Sequence, residues 1–316
     1  MTKAAELAKM GEVLTNSQIG GRRNIVINGA AQCWQRATSA SSIGYTSVDR
    51  WSYYAPSSLA ISRVTDVPTE FQYAISIGGG GDSSGITQKI EASTCKQLVG
   101  ATITVSFYLK QTTGAGTDKI AVALSRADSE DNFGGTTSIS TQTISTTSSY
   151  ARYTCTFASL PTEVANGLQL TIKSNGSGSV VYLITGIQLE VGSQATPFEH
   201  RSFGEEEKLC RRFYQRTGGT AYYPWSLVAG QNSTLSRSIQ PLITPMRATP
   251  SFSTEGTHLV EGTSSQTVSS TSIDIATPTT VMVNVNSSSG HGEDGSAGRW
   301  LAHNTTGAYI IFDAEL

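Results

Sequence analysis

The chain has 316 residues, of which 38% are hydrophobic and 15% are charged, and its formal net charge is −2. Serine and threonine form roughly a quarter of the chain, and together with the 31 glycines they favour turns and solvent-facing strand positions over helix interiors. The composition therefore predicts an all-β protein. The near-neutral charge, without blocks of like charge, excludes a nucleic-acid partner, and the lack of a long apolar run excludes membrane insertion.

The N-terminal segment, residues 1–23, carries its helical signal in residues 1–20, because Leu7, Met10 and Leu14 recur at spacings of three and four. Such a short seam is marginally stable alone. We therefore expect either a terminal helical or extended segment that docks on the protein, or one that anchors the chain to a larger assembly. The segment lacks the apolar core of a signal peptide, so we expect synthesis in the cytoplasm.

The four cysteines are far apart in the sequence. A disulfide framework needs short spacings in a small secreted domain, and a zinc site needs close pairs, so neither pattern is met. We predict four reduced thiols and a reducing compartment. Cys155 alternates in phase with Tyr153 and Phe157, which predicts that it is a small core residue.

Residues 24–200 are dominated by short stretches in which apolar and polar side chains alternate. In ATITVSFYLKQ, for example, Ile103, Val105 and Phe107 fall on one face, and the intervening threonine and serine fall on the other. Similar alternation occurs in FQYAISI, KIAVAL, YARYTCTF, GLQLTIK and VVYLITGIQLEV. Glycine-rich connections of hairpin type separate several of these stretches. We predict an antiparallel two-sheet sandwich of the jelly-roll kind.

A short connector helix is predicted over residues 201–216. Ser202 and Glu205 form a capping box, and the acidic first turn and basic last turn complement the helix dipole. The helix leads from the sandwich into residues 217–316, which are again rich in serine, threonine and glycine. Strand-like runs there include SIDIA, TVMVNV and the closing AYIIFDAEL, so we predict a second small β-domain that forms the distal tip.

Three stretches carry the most specific motifs. They are NIVINGAAQCWQR (residues 24–36), GYTSVDRW (44–51) and IQLEVGSQATPFEHRSFGEEEKLCRRFYQ (187–215). In order and spacing they resemble fibre-type proteins of tailed bacteriophages, which are common in marine and cyanobacterial phages. The resemblance implies a carbohydrate-binding-module-like jelly roll within a virion fibre, which is usually trimeric and frequently attaches to the host.

The same resemblance implies the partners and the location. The partners would be further copies of the chain in a homotrimer, other virion proteins bound through residues 1–23, and a host surface polysaccharide. The protein would be made in the host cytoplasm and then built into the tail or capsid surface of the virion. We expect no cofactor.

Charged residues of these motifs form a candidate polar cluster. Asp49 and Arg50 lie next to each other, and Glu190 lies on the outward phase of a predicted strand. We expect a carboxylate to be held by Arg36 or Arg50 at a sheet edge. The cluster serves either the fold, since polar groups inside a sandwich usually satisfy its backbone, or a ligand.

Acidic residues cluster at Asp128, Glu130 and Asp131, in a glycine-rich stretch. They form either a calcium loop or a solvated acidic turn, and the lack of an EF-hand pattern favours the turn. The sequence shows no histidine ligand spacing, no nucleophile elbow and no repetitive β-helix pattern. Because a catalytic constellation needs convergent groups that the pattern does not supply, we expect a protein that is not an enzyme.

Aromatic and polar residues of residues 217–316 form a candidate glycan site. Sugar recognition commonly stacks an aromatic face on the ring and adds polar hydrogen bonds at the rim. The candidate residues are Trp300, His291, Tyr222, Tyr223, Trp225 and His303. The alternative is that these aromatics form the core of the small domain or its trimer contact.

Two functions remain open at this point. In the first, the protein is a tail fibre whose distal domain binds a host surface glycan. In the second, it is a structural component of the virion, such as a capsid-decorating fibre or a tail adaptor, with no specific ligand.

Overall fold

The computed structural model of the chain describes residues 22–54, 59–80, 83–113, 116, 119–175, 179–290, 295–303 and 307–316. The helical segment predicted around Leu7, Met10 and Leu14 lies outside these residues. The chain divides into two compact units, one running to Glu206 and including Leu316, and one spanning Glu207–Glu315.

Eleven strands are described in the first unit. They are β1 (Ser39–Ala40), β2 (Ser52–Tyr54), β3 (Leu59–Val64), β4 (Ala74–Gly80), β5 (Gly85–Ile90), β6 (Ile103–Thr113), β7 (Ile120–Ser129), β8 (Asn132–Ile144), β9 (Ala151–Phe157), β10 (Leu168–Ser174) and β11 (Ser179–Val191). One sheet has the order β1-β3-β4-β11-β6-β9, and the other has the order β2-β5-β10-β7-β8. The neighbouring strands are antiparallel. The predicted all-β fold with a jelly-roll sandwich is confirmed.

The core of the first unit lies between the inward faces of the two sheets. Ile103, Val105 and Phe107 of β6 are fully buried, as are Leu170 and Ile172 of β10. Because successive side chains of a strand point to opposite faces, this spacing leaves the outer face of β10 to polar residues. Burial of each such apolar side chain stabilises the fold by about 1.5–3 kcal/mol, so the alternating stretches of the sequence become the strands.

Nine strands are described in the second unit. They are β12 (Tyr214–Gly218), β13 (Pro224–Gly230), β14 (Leu235–Pro241), β15 (Ser251–Glu255), β16 (His258–Glu261), β17 (Ser265–Ala276), β18 (Thr280–Ser287), β19 (Ala297–Ala302) and β20 (Tyr309–Asp313). Six of them form a closed barrel in the order β13-β14-β18-β17-β16-β19, and β12-β20-β15 form a three-stranded sheet. Core side chains of this unit include Val260, Val281, Val283, Val285 and Trp300.

Helices in the described residues are short. They are α1 (Ala92–Cys95) and α2 (Phe203–Arg211), with 3-10 turns at Lys96–Leu98 and Thr162–Asn166. The predicted capping box of α2 is present, because the main-chain N–H of Ser202 donates to Glu205 Oε2 (3.2 Å) and the N–H of Glu205 donates to Ser202 Oγ (3.3 Å). No described helix has both the length and the apolar composition needed to cross a membrane.

The connector helix is shorter than predicted. It ends at Arg211, whereas the sequence pattern extended it to residue 216. Tyr214 begins β12 instead and pairs with Asp313 of β20. This pairing is a tertiary contact between segments far apart in the chain, and it overrides the local helical signal of the arginine-rich end.

All four cysteines are buried free thiols, as predicted from their spacing. Burial raises the pKa of Cys95 to about 12 and the pKa of Cys155 to about 11. These two thiols therefore stay protonated at neutral pH and act as small core residues, since the thiolate is the reactive form.

Candidate functional site

The three motif stretches of the sequence come together in a buried polar network of the first unit. Asn28 is fully buried, and its side-chain amide donates to the main-chain oxygens of Cys33 and Asp49, each at 2.9 Å. Its main-chain N–H donates to Glu206 Oε1 (2.6 Å), and Arg201 donates to the same oxygen (3.2 Å). Because each contact satisfies a buried polar group, the motifs serve the fold.

The same network fastens the first stretch to β11. The main-chain N–H of Asn24 donates to Glu199 Oε2 (2.8 Å), and its side-chain amide donates to the main-chain oxygen of Ile187 (3.1 Å). Gly29 accepts the N–H of Ile187 at 2.9 Å. A Cβ atom at Gly29 would lie 2.0 Å from the oxygen of Ile187, so no side chain fits there. The close approach of these two backbones explains the glycine.

The predicted polar cluster divides into separate sets of contacts. Arg36 Nη1 lies 3.4 Å from Asp49 Oδ1, and the two side chains are 7% and 1% exposed. Arg50 donates to a main-chain oxygen of β5 (2.7 Å). Glu190 accepts both the main-chain N–H (2.9 Å) and the hydroxyl (2.6 Å) of Thr196. The structure thus brings Asp49 and Arg36 together, while Glu190 is satisfied by the segment that follows its own strand.

The acidic residues considered for calcium lie around the β7–β8 turn and have protein partners. Asp128 accepts the hydroxyl of Thr137 (2.7 Å), and Glu130 pairs with Lys96 (2.8 Å). Asp131 accepts the main-chain N–H at the start of α1 (2.7 Å). Within the described ranges, no group of three or more His, Cys, Asp or Glu side chains is arranged to hold a metal ion. These contacts stabilise the turn itself.

A groove of about 670 Å³ lies on the outer face of the five-stranded sheet of the first unit. The strand register places side chains from neighbouring strands in rows on this face, and these rows form the groove. The rows are Tyr54, Gly85, Lys173 and Ala121; Ser52, Thr87, Thr171, Ala123 and Thr141; and Lys89, Gln169, Ser125 and Ser138. The groove therefore runs over β2, β5, β10, β7 and β8, on the side of the sheet opposite to the core.

Small residues keep the floor of this groove low. Ala121 and Ala123 of β7 stand where larger outward side chains would fill the space. Gly85 of β5 has no room for a side chain, because its Cβ would lie 2.4 Å from a main-chain oxygen of β10. At the edge of the groove, Tyr54 is 49% exposed and Ile43 is 62% exposed. The result is a floor of small residues with polar groups around it and aromatic and aliphatic surface beside it.

The groove offers hydrogen-bonding groups of several kinds. The hydroxyls of Thr87 and Thr171 lie 3.0 Å apart across neighbouring strands. Gln169 and Asn175 add side-chain amides, and lysines add ammonium groups. Hydroxyls and amides both donate and accept, which matches the hydroxyl groups of sugars. The exposed ring of Tyr54 can stack against an apolar ring face.

Residues proposed for the glycan site from the sequence lie close together in the second unit. The main-chain N–H of Tyr222 donates to the oxygen of His303 (3.2 Å), and that of Ala302 donates to the oxygen of Tyr223 (2.9 Å). The ring centroids of Tyr223 and Trp225 are 6.3 Å apart. Tyr222 is 57% exposed, so it presents a ring to solvent.

Trp300 does not present its ring to solvent. The side chain of Trp300 is fully buried and lies 5.3 Å from Trp225, measured between ring centroids. A fully buried indole offers no face to a sugar ring, which corrects the interpretation of Trp300 as a ligand-stacking residue. It is instead a core residue, the alternative given for these aromatics. His291 lies outside the described residues.

His258 packs within the same aromatic cluster. Its ring stacks on Trp225 with centroids 4.4 Å apart and an interplanar angle of 21°. Its Nε2 atom lies 2.9 Å from the main-chain oxygen of Glu255. Burial lowers the pKa of His258, while hydrogen bonds to the main chain of Glu255 and Tyr309 oppose that shift. The neutral imidazole is therefore favoured in this core.

No protein-family model matches the chain, and no curated protein sequence matches it. Among solved structures, the enzymatically active domain of tailspike protein 4 from bacteriophage CBA120 is similar, with 16% identity and a TM-score of 0.37 over 54% of this chain and 21% of that chain. The xylan-binding domain CBM22-1 from Paenibacillus barcinonensis has 13% identity and a TM-score of 0.34 over 52% of this chain and 98% of its own.

A third similar structure is the module TmCBM61 in complex with β-1,4-galactotriose, with 15% identity and a TM-score of 0.33 over 54% of this chain and 99% of that chain. The structural neighbours thus include carbohydrate-binding modules and a phage tailspike domain, all at low identity.

The groove has no distinct motif in the sequence. Thr171 and Lys173 occupy ordinary outward positions of a predicted strand, and only the register places them beside β5 and β7. One signal is visible in KIAVAL, where Ala121 and Ala123 occupy the outward phase in place of polar residues. Small apolar residues at the solvent-facing positions of a strand indicate the bottom of a groove rather than a fully solvated surface.

Proposed function

We propose that this protein is a non-catalytic virion fibre component of a tailed phage, and that its first unit binds a host surface glycan in the groove over β5, β10 and β7. The observation that carries this proposal is the groove itself. It combines the small floor residues Ala121 and Ala123, and the lack of a side chain at the neighbouring Gly85, with hydroxyl and amide groups from neighbouring strands. A concave surface with convergent polar groups and an exposed aromatic ring suits an extended sugar chain.

The lining favours binding over catalysis. Among the described residues that line the groove, none is Asp, Glu or His. Glycoside hydrolysis ordinarily uses a pair of carboxyl groups that flank the scissile bond. The groove's serine and threonine hydroxyls also have no histidine or carboxylate beside them in the lining to activate a nucleophile. Recognition of an intact glycan is therefore the function that these groups support.

The phage assignment is supported by the three motif stretches and by the network that they build. Asn28, Asp49 and Glu206 come from three separate stretches and meet in one set of buried hydrogen bonds. Such a network explains why the three stretches occur together, since each one satisfies polar groups of the others. Immunogold labelling of particles checks this assignment, with label expected on the tail or capsid surface and its absence from purified particles contradicting it.

We also propose that further copies of the chain pack on an apolar row of the barrel, as expected for a homotrimer. Ile239 of β14 pairs with Met282 of β18, which pairs in turn with Ile275 of β17. Val228 of β13 pairs with Ser238 of β14 in antiparallel register, which places Leu227 opposite Ile239. Leu227, Ile239 and Ile275 are 75%, 58% and 59% exposed. A contiguous exposed apolar surface is typical of a protein interface.

Light scattering of the purified protein tests this contact. A trimer that dissociates in the double variant Leu227→Ser, Ile239→Ser supports the proposal. The matched control is the exposed pair Thr154→Ser, Thr156→Ser on β9 of the first unit, which should leave the mass unchanged. A monomeric wild-type protein at micromolar concentration contradicts the proposal.

Glycan binding is tested by a groove-blocking variant. Thr171→Phe places a phenyl ring in the middle of the groove, and phenylalanine suits a strand position, so the fold is retained. Binding of host surface polysaccharide should be lost. The control Thr154→Phe makes the same change at an exposed position of β9 and should bind like the wild type. Failure of the wild-type protein to bind the polysaccharide, or full binding by Thr171→Phe, overturns the proposal.

A further inference from the structure

The charged side chains of the groove all carry the same sign. Among the described residues that line it, Lys89 and Lys173 are charged and no carboxylate is present. The chain as a whole has a formal net charge of −2. The groove therefore differs in sign from the average of the molecule, and a cleft lined by one sign of charge concentrates ligands of the opposite sign.

Lys173 is placed to meet a ligand. It lies on β10, the central strand of its sheet, and its cross-strand neighbours are Gly85 and Ala121. These small neighbours leave the lysine side chain standing in the groove. Within the described residues, the side-chain ammonium of Lys173 has no hydrogen bond or ion pair, while its backbone pairs with β5 and β7. Its ammonium group is thus available to a bound molecule.

Lys89 lies farther along the groove and is held in position. Its ammonium donates to the main-chain oxygen of Leu316 (2.6 Å) and lies 5.4 Å from the centroid of the Phe133 ring. Lys89 pairs with Gln169, four residues before Lys173 on β10. At the rise of a strand, the two lysines are separated by about 13 Å in the strand direction. A ligand that reaches both is an oligomer rather than a single sugar.

Binding of a neutral glycan beside these lysines would carry a desolvation cost in free energy. Covering a charged ammonium removes part of its hydration, and an uncharged sugar returns hydrogen bonds but no opposite charge. An anionic group on the sugar supplies both a hydrogen bond and an opposite charge. Its attraction to an ammonium group is stronger in a partly enclosed groove than in bulk water. The lining therefore discriminates between charged and neutral sugar chains of the same shape.

We infer that the groove takes an acidic glycan, with an anionic group of the sugar chain bound at Lys173. This inference rests on the proposed glycan-binding function and adds the chemical class of the ligand. Carboxylate and sulfate groups share the chemistry that a lysine recognises, and they differ in the sugars that carry them.

The experiment compares matched pairs of polymers by titration calorimetry. Polygalacturonate is paired with its fully methyl-esterified form, and dextran sulfate is paired with dextran, so that the two arms distinguish carboxylate from sulfate. The acidic member of at least one pair should bind the wild-type protein more tightly than its neutral partner. Raising the salt concentration should weaken that binding, because salt screens the ionic contact.

Variants locate the effect in the groove. Lys173→Gln should weaken binding of the acidic polymer by roughly fivefold, the size expected for one partly exposed ionic contact. Its affinity for the neutral partner should not change. Lys96→Gln removes a lysine that does not line the groove, where it pairs with Glu130, and should bind like the wild type. Thr171→Phe should abolish binding of the acidic polymer.

The outcomes separate this inference from the proposed function. Equal affinity for the acidic and neutral members of both pairs, with no effect of Lys173→Gln, overturns the acidic preference while leaving glycan binding in place. Retained binding of the acidic polymer by Thr171→Phe places the contact outside the groove and overturns the inference. A wild-type protein that binds none of the four polymers and no host polysaccharide overturns both.

Discussion

The main-chain N–H of Asn28 donates a 2.6 Å hydrogen bond to the carboxylate of Glu206, 178 residues later in the chain. Arg201 lies 3.2 Å from the same carboxylate, and both charged side chains are less than one-tenth exposed. This contact joins the start of the sandwich to the first turn of α2. Because it closes a very long loop, we expect it to form after the local hairpins during folding.

Replacing Glu206 with glutamine should destabilise the first unit by about 2 kcal/mol. The change removes the nearer and more buried of the two carboxylates beside the buried guanidinium of Arg201, which keeps only Glu199 at 3.7 Å as a counter-ion. Urea unfolding measures the effect. The control is Glu207→Gln, one residue later, whose partner Arg211 lies in a more exposed pair (2.9 Å), so its cost should stay below about 1 kcal/mol. Equal losses in both variants would contradict the role given to Glu206.

Gly29→Ala should prevent folding of the first unit or destabilise it by more than about 3 kcal/mol, since the added methyl group would meet backbone rather than a movable side chain. The Cβ position lies 2.0 Å from the oxygen of Ile187. Gly204→Ala is the matched control, because it lies in α2 with no atom within 4 Å of its Cβ position. That variant should be neutral or slightly stabilised, by about 0.4–1 kcal/mol. Soluble yield and thermal unfolding distinguish the two.

The alternating strands of the first unit could be predicted from the sequence, because each buries one face. In β10, for example, Leu168, Leu170 and Ile172 point to the core and leave a period of two in the sequence. Strand β8 (Asn132–Ile144) has no such signal. Most of its residues are exposed or half-buried on both faces, so serine and threonine serve equally well on either side. It is held by pairing with β7, which a local pattern does not reveal.

The candidate groove could not be predicted for a related reason. Its rows join Gly85, Lys173 and Ala121 from three strands that are far apart in the sequence. Each residue alone is an ordinary outward position. The aromatic residues of the second unit gave a stronger local signal, but burial of Trp300 depends on closure of the barrel. Local sequence thus indicates which face of a strand is exposed to solvent, and strand register decides which solvent-facing residues become neighbours.

Trp300→Ala should destabilise the second unit by about 3–5 kcal/mol, because it removes a fully buried large side chain and leaves a cavity among its neighbours. Tyr222→Ala removes an exposed ring from the same unit and should change stability by less than about 0.5 kcal/mol. Hydrogen exchange of β16 and β19 reports the stability of the barrel. Fast exchange in both variants, or in neither, would contradict the assignment of Trp300 to the core and Tyr222 to the surface.

Acidification should destabilise the second unit. The folded state holds the pKa of His258 below its ordinary value of 6.5, so the unfolded chain binds a proton first as the pH falls. Stability is therefore unaffected above that value and falls below it, by at most about 1.4 kcal/mol per pH unit, until the folded-state pKa is passed. Urea unfolding between pH 7 and pH 5 measures this slope. His258→Phe should flatten it, and an unchanged slope would assign the effect to another group.

The closure of the six-stranded ring has a consequence for crowding. Since β13 pairs with both β14 and β19, the ring has no first or last strand whose backbone N–H and C=O groups await a partner. A neighbouring copy can therefore touch this ring through side chains but cannot extend it strand by strand. Where densely displayed copies meet through this ring, they would therefore form side-chain contacts rather than a continuous intermolecular sheet.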